Sequence, residues 1–182
     1  MKTLIINGSP RSAGDTAYLI EVLKENLEGE VVELSAFRDD ISPCMDCRAC
    51  LTTGRCAIDD EMRVIYDDDY DSVVLAAPVY FATLPGQVLS LMSRFQAIRA
   101  AKILADKRYV MRRKKAGLIL VAGGKGNERH AEHHIHVFFR MLGGYGYEEH
   151  FSKSLHTDEL PASRDDAAIG QVKALAEWLQ AE

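Results

Sequence analysis

Outside one window of thirteen positions the chain has no cysteine at all; its four lie at Cys44, Cys47, Cys50 and Cys56. A disulfide framework spreads its cysteines along a small secreted domain, so that class is not expected. No apolar stretch approaches the roughly 18 residues of a membrane span, and a membrane location is not expected either. The opening Thr3-Leu4-Ile5-Ile6 is too short for a signal-peptide core. These absences lead us to expect a cytoplasmic protein, where clustered thiols stay reduced and serve as metal ligands or redox groups.

Positive charge is also in short supply. Lys and Arg number 22 against 27 Asp and Glu, for a net charge of −5, so a nucleic-acid partner is not expected. The one basic run, Arg112-Arg113-Lys114-Lys115, reads as a solvated loop before a strand. Two phosphate motifs are absent as well. There is no Gly-x4-Gly-Lys-Ser/Thr frame and no Gly-x-Gly-x-x-Gly, which excludes a nucleotide-hydrolysing P-loop and a dinucleotide fingerprint. Internal repeats and low-complexity tracts are missing too.

What remains is an alternation of short apolar runs with amphipathic stretches over 182 residues, enough for one domain with its own core. Strands are expected over Lys2–Asn7, Glu30–Leu34, Ser72–Ala77, Gly117–Val121 and near Tyr145–Phe151. Helices are expected over Asp15–Leu27, Asp60–Tyr66, Gln87–Ile98, Arg129–Leu142 and Ala162–Gln180. This pattern predicts an α/β fold: a three-layer sandwich around a five-stranded parallel sheet in the flavodoxin-like order 2-1-3-4-5. Residues 1–182 form one such domain on this reading, with a cysteine-rich insertion at about 42–58.

The first strand runs into Asn7-Gly8-Ser9-Pro10-Arg11-Ser12-Ala13-Gly14-Asp15-Thr16 and then a helix. Small residues let backbone N–H groups approach an anion, and the helix N-terminus adds partial positive charge. Ser9, Ser12 and Thr16 add hydroxyls, and Arg11 a charged donor. In a 2-1-3-4-5 sheet, ligands bind over the crevice where strand order reverses. There Pro78-Val79-Tyr80-Phe81-Ala82-Thr83-Leu84-Pro85-Gly86 offers a stiff wall for a flat ring, and Ala122-Gly123-Gly124-Lys125-Gly126-Asn127 approaches the same crevice. One phosphate loop and two ring-facing loops describe a mononucleotide with a planar ring, FMN more readily than NAD. Plain core packing is the competing reading for one of Tyr80 and Phe81.

These residues resemble the NAD(P)H-dependent FMN reductase branch of the flavodoxin-like superfamily, and within it the iron–sulfur flavoproteins of anaerobic microbes. The resemblance rests on Gly8-Ser9-Pro10-Arg11, Gly14-Asp15-Thr16, the four cysteines, Asp59-Asp60-Glu61-Met62 and Ala77-Pro78-Val79-Tyr80-Phe81, over roughly the first hundred residues. It implies FMN bound at Ser9, Arg11, Ser12, Asp15, Thr16, Pro78, Val79, Tyr80 and Phe81. It also implies a [4Fe–4S] cluster on Cys44, Cys47, Cys50 and Cys56, near a flavin across a homodimer or homotetramer interface. Ferredoxin or NAD(P)H would supply electrons to a small-molecule or protein acceptor. Three positions depart from the family: Asp15 stands where Asn is usual, and on the helix after the ring loop Leu89 stands for a Lys and Ser93-Arg94 for an Asp-Arg pair, with Ser93 in place of the Asp.

From spacing alone the cysteines remain open to three uses. Three at period three plus one more suit a cubane cluster. Structural zinc more often pairs two separated C-x2-C units, and reversibly oxidised thiols need no metal. His130, His133, His134 and His136 do not share one helix face, so they read as a surface or interface face rather than a metal site, with His130 near the flavin loop. No protein nucleophile or triad is expected, because a flavin carries its own chemistry. Three functions follow: an FMN and iron–sulfur oxidoreductase, a cluster-free NAD(P)H-dependent FMN or quinone reductase, or a non-enzymatic redox or metal sensor.

Overall fold

The computed structural model describes residues 1–107, 110–124 and 128–181. Strands β1 (Lys2–Asn7), β2 (Glu30–Ser35), β3 (Ser72–Pro78) and β4 (Lys114–Val121) pair in parallel in the order β2-β1-β3-β4. Every residue of β3 is buried, as expected of a strand covered on both faces. Alternation sorts the side chains of β1, β3 and β4 between the two faces. Leu4, Ile6, Val73, Leu75 and Leu120 face one helical layer, and Ile5, Val74, Ala76 and Ile119 face the other. The second layer is α1 (Asp15–Glu25) and α7 (Asp166–Gln180). The first holds α2 (Cys50–Thr53), α3 (Arg63–Tyr66), α4 (Gly86–Ser93), α5 (Gln96–Leu104) and α6 (Arg129–Leu142). The flavodoxin-like order is therefore present.

Three expectations need correction. The fifth strand is two pieces: β5 (Gly144–Tyr145) pairs with Lys114–Lys115, and β6 (Phe151–Ser154) pairs with Leu118–Val121. Between them Gly146 takes φ +86° and its carbonyl accepts the N–H groups of Glu149 and His150. The Trp178 ring occupies the space a Cβ would need there. The helix expected over 87–98 is broken after Ser93, where Arg94 and Phe95 donate to carbonyls three residues back. The basic run is not a solvated loop, because β4 begins at Lys114. That residue is buried, its ammonium on Asp68 and over the Tyr70 ring.

Parallel pairing sends the carboxyl ends of β1, β3 and β4 to the same edge of the sheet. The loops after residues 7, 78 and 121 therefore meet there, at the switch in strand order.

Candidate functional site

The loop after β1, where a phosphate site is expected, is set by side chains of the strands beside it. Glu33 on β2 accepts a hydrogen bond from Asn7 Nδ2 at 2.8 Å, and Asn7 Oδ1 accepts the Ser9 N–H at 2.9 Å. Ser9 Oγ in turn accepts the Arg11 N–H at 3.2 Å. Gly8 lies so close to α4 and β3 that a Cβ would sit 2.6 Å from Val88 and 2.9 Å from Ala77. Burial raises the Glu33 carboxyl, but hydrogen bonds from Lys24 and Asn7 and the charges of Lys24 and Arg38 outweigh it. The group is held below the usual carboxylate range.

Past this turn, the N–H groups of residues 12–16 donate to no acceptor among the described residues. Asp15 turns its carboxylate away from them and accepts the Ala162 N–H at 2.7 Å. Five open amides at the start of an eleven-residue helix, with Arg11 exposed beside them, make an anion cradle.

Opposite, Tyr80 and Thr83 exchange backbone hydrogen bonds at 2.9 and 3.0 Å, closing a two-residue turn. Its central residues, Phe81 and Ala82, have φ of +48° and +65°. The left-handed region costs non-glycine residues roughly 1–2 kcal/mol each. Helix α6 pins the turn, since Ala131 N–H donates to Ala82 O at 2.9 Å and Thr83 Oγ1 lies 3.1 Å from His134 Nδ1. Tyr80 is half-exposed and Phe81 fully exposed, so neither ring is core packing.

A groove of about 140 Å³ joins Ser9, Arg11, Asp15, Thr16, Pro78, Val79, Tyr80 and Gly123. Ser12, Phe81 and Gly124 stand outside its wall, and Lys125, Gly126 and Asn127 lie outside the described residues. The groove has two further walls, Thr157 and Asp158, from the long irregular stretch 152–161, whose length marks it for function or subunit contact but not for this groove. They follow β6 and are tied back by N–H bonds of 2.9 Å to Ala122 O and Gly123 O. Any side chain at position 123 would meet the Asp158 carboxylate.

Residues 1–155 match the family described as NADPH-dependent FMN reductase. The chain belongs to that family. It is thereby a flavin-dependent oxidoreductase, which sets aside the non-enzymatic sensor. An iron-sulfur flavoprotein of Methanosarcina thermophila is 29% identical over 189 residues, covering 98% of this chain and 93% of that protein. One from Archaeoglobus fulgidus is 33% identical over 145 residues, covering 76% and 71%. An FMN-dependent NADH-azoreductase of Bacillus anthracis, solved with FMN, shares the fold with a TM-score of 0.68 over 99% of both chains at 16% identity. The open amides of residues 12–16 and the turned-away Asp15 fit the phosphate end of the family's cofactor.

The cysteine loop of this FMN reductase relative hangs on Arg94, from the Ser93-Arg94 pair. Arg94, at the end of α4, is fully buried and forks onto Asp60, with Nη1–Oδ2 2.6 Å and Nη2–Oδ1 3.1 Å. Asp60 also accepts the Ser42 and Met62 N–H groups at 3.1 Å each. Burial raises the Asp60 carboxyl, but Arg94 and these amides together hold it below its ordinary value. Ser93 Oγ accepts the Cys44 N–H at 3.0 Å.

All four cysteines open on one cavity of about 70 Å³ walled by Arg94. Asp46 and Arg48 between them have φ of +50° and +61°, and backbone strain of this kind gathers at functional sites. Burial raises the Cys50 thiol, and the other three cysteines add to that. Among the described residues no three Cys, His, Asp or Glu side chains gather on a single-ion point. The thiols are instead arranged around a shared space. The histidines do not gather on one point either: His134 meets Thr83, and His136 Nδ1 lies 2.8 Å from Tyr147 Oη.

Proposed function

We propose that the chain is an FMN oxidoreductase that passes electrons between a reduced carrier, ferredoxin or NAD(P)H, and an acceptor, with a [4Fe–4S] cluster on Cys44, Cys47, Cys50 and Cys56. The observation that carries it is the pairing of two cradles on one chain: the open amides at α1, and four thiols around one cavity. FMN, when bound, supplies conversion between one- and two-electron transfer. Residues 12–16, Arg11 and Thr16 hold its phosphate. Tyr80 and the turn behind it form the ring wall, and Gly123 leaves the space that Asp158 occupies.

The thiols belong to one unit with this site, residues 1–182, as an insertion at about 42–58. Exposed Met45, Leu51 and Phe81 support a homodimer or homotetramer in which these surfaces are covered. No helix among the described residues is long and apolar enough to cross a membrane.

Anaerobic purification followed by an absorption spectrum and iron and sulfide analysis tests the proposal. Yellow protein with four irons and four sulfides per chain is the expected result. Yellow protein without iron, bleached by NADPH, leaves the cluster-free reductase. Colourless protein that takes up no added FMN overturns the flavin site.

A further inference from the structure

Arg94 has more to give than its ion pair. Arginine carries five N–H donors in a rigid planar fork. Four are engaged: Nη1 donates to Asp60 Oδ2 at 2.6 Å and Ser42 O at 2.8 Å, and Nη2 donates to Asp60 Oδ1 at 3.1 Å and Ile58 O at 3.2 Å. Ser42 precedes the first cysteine and Ile58 follows the last. One guanidinium therefore closes the stem of a segment that contains every cysteine. Tyr66 Oη fixes its backbone, donating to Arg94 O at 3.0 Å.

The fifth donor, Nε–H, is buried and has no partner. Such a group is rare because water has been removed without replacement. Arg94 walls the cavity onto which the four cysteines open, together with Cys56. Burial opposes the guanidinium's charge, but Asp60, with Tyr66 and Cys56 beside it, favours the charged form, and arginine stays protonated in proteins. A guanidinium thus walls the cavity shared by the four thiols, and its one unpartnered donor is buried in that wall.

We propose that Arg94 is the built-in counter-charge and hydrogen-bond donor of the thiolate set, closing the loop before iron arrives and giving Nε–H to Cys56 Sγ once it has. This rests on the cluster reading above. One electron from the reduced carrier adds one negative charge to the thiolate-ligated cluster, and no bond forms or breaks and no proton moves. A cation and an N–H···S bond stabilise that added charge, because charge and hydrogen bonds to sulfur set cluster potentials. Arg94 therefore makes the midpoint potential less negative than the cysteines alone would. Lysine keeps the charge but has neither the planar fork nor Nε.

The test compares the wild type with Arg94→Lys and with Arg94→Met combined with Asp60→Asn, which leaves no lone buried carboxylate. Iron-free protein is followed by hydrogen exchange over 42–60. Anaerobically reconstituted protein is titrated with dithionite and followed by electron paramagnetic resonance. In the double variant we expect loss of protection confined to 42–60 and a more negative midpoint, with FMN content unchanged. In Arg94→Lys we expect reduced protection and a midpoint between the two.

An iron-loaded double variant with wild-type protection, midpoint and resonance overturns the proposal and leaves the cluster reading intact. If the double variant does not fold, wild-type protection and midpoint in Arg94→Lys overturn it instead. A yellow wild type that takes up no iron overturns the cluster reading and this proposal with it, and leaves the FMN site standing.

Discussion

The carboxylate of Asp15 accepts the Ala162 N–H at 2.7 Å, tying the first turn of α1 to the segment that leads into α7. An acid at this position looks hostile to a phosphate, and its orientation resolves the conflict. Asn keeps an oxygen for Ala162 and removes the charge, whereas Ala removes both. Hydrogen bonds to charged groups contribute about 1.5–3 kcal/mol, at the lower end when half-buried. Asp15→Ala is expected to destabilise the fold by about 1–2 kcal/mol in urea titration. Asp15→Asn should leave stability nearly unchanged and bind FMN at least as tightly. Weaker FMN binding by Asp15→Asn would show that the carboxylate itself contacts the cofactor.

Glu33 makes the phosphate loop sensitive to acid. Its folded carboxyl lies below the ordinary value despite burial, because Lys24, Asn7 and Arg38 favour the ionised form. A depressed carboxyl contributes stability that is complete above the unfolded value, about 4.3. That contribution is lost as pH falls through the lower folded value. Wild type should therefore exceed Glu33→Gln by about 1 kcal/mol at pH 7. The gap should close as pH falls below about 4. A gap that persists at pH 3 would mean that packing, not ionisation, is what Glu33 supplies. Because Glu33 holds Asn7 and Asn7 holds Ser9, FMN release should rise over the same range.

The cradle makes a direct claim on Arg11 and Thr16. Arg11 is exposed at its mouth, while Thr16 is buried in the first turn of α1. Replacing both with Ala should weaken FMN binding by at least tenfold, about 1.4 kcal/mol, read by flavin fluorescence quenching. Thr16→Ala alone should cost less. Unchanged affinity in the double variant would sink the assignment of the phosphate end.

The strand order was legible because it rests on local pattern: Val73–Pro78 is apolar throughout, and the runs around Leu4 and Leu118 are short and bounded by loops. The expected phosphate loop and the Tyr80 segment could be named for the same reason, as contiguous segments at strand ends. What escaped was pairing across distance. Nothing local in Ser93-Arg94 says that the guanidinium turns inward, since its partner Asp60 lies 34 residues away and the helix breaks to permit it. Lys114 was misread on the same grounds, because its partner Asp68 belongs to another loop. Thr157 and Asp158 reach the groove by following β6 and bonding to Ala122 and Gly123, and β-pairing of four residues leaves little signal in composition.

The turn at Phe81-Ala82 gives the sharpest test of what the ring wall is for. Two-residue turns with φ above zero at both centres favour Asn-Gly, and this chain places a phenylalanine and an alanine there. Phe81 is fully exposed, so its ring adds no buried area to the folded state. Phe81→Asn with Ala82→Gly relieves strain of about 1–2 kcal/mol per residue, offset by about 0.5–1 kcal/mol of glycine entropy. A net gain of about 1–3 kcal/mol is expected, which raises Tm by roughly 2–12 °C in a chain of this size. The bonds to Ala131 and His134 run through the Ala82 carbonyl and the Thr83 hydroxyl, so the turn should keep its place. Its presented ring, however, is gone. If the strain exists to display Phe81, the stabilised variant should reduce acceptors with NAD(P)H more slowly while retaining FMN. A more stable variant with unchanged turnover would remove Phe81 from the site, and a less stable one would contradict the turn geometry.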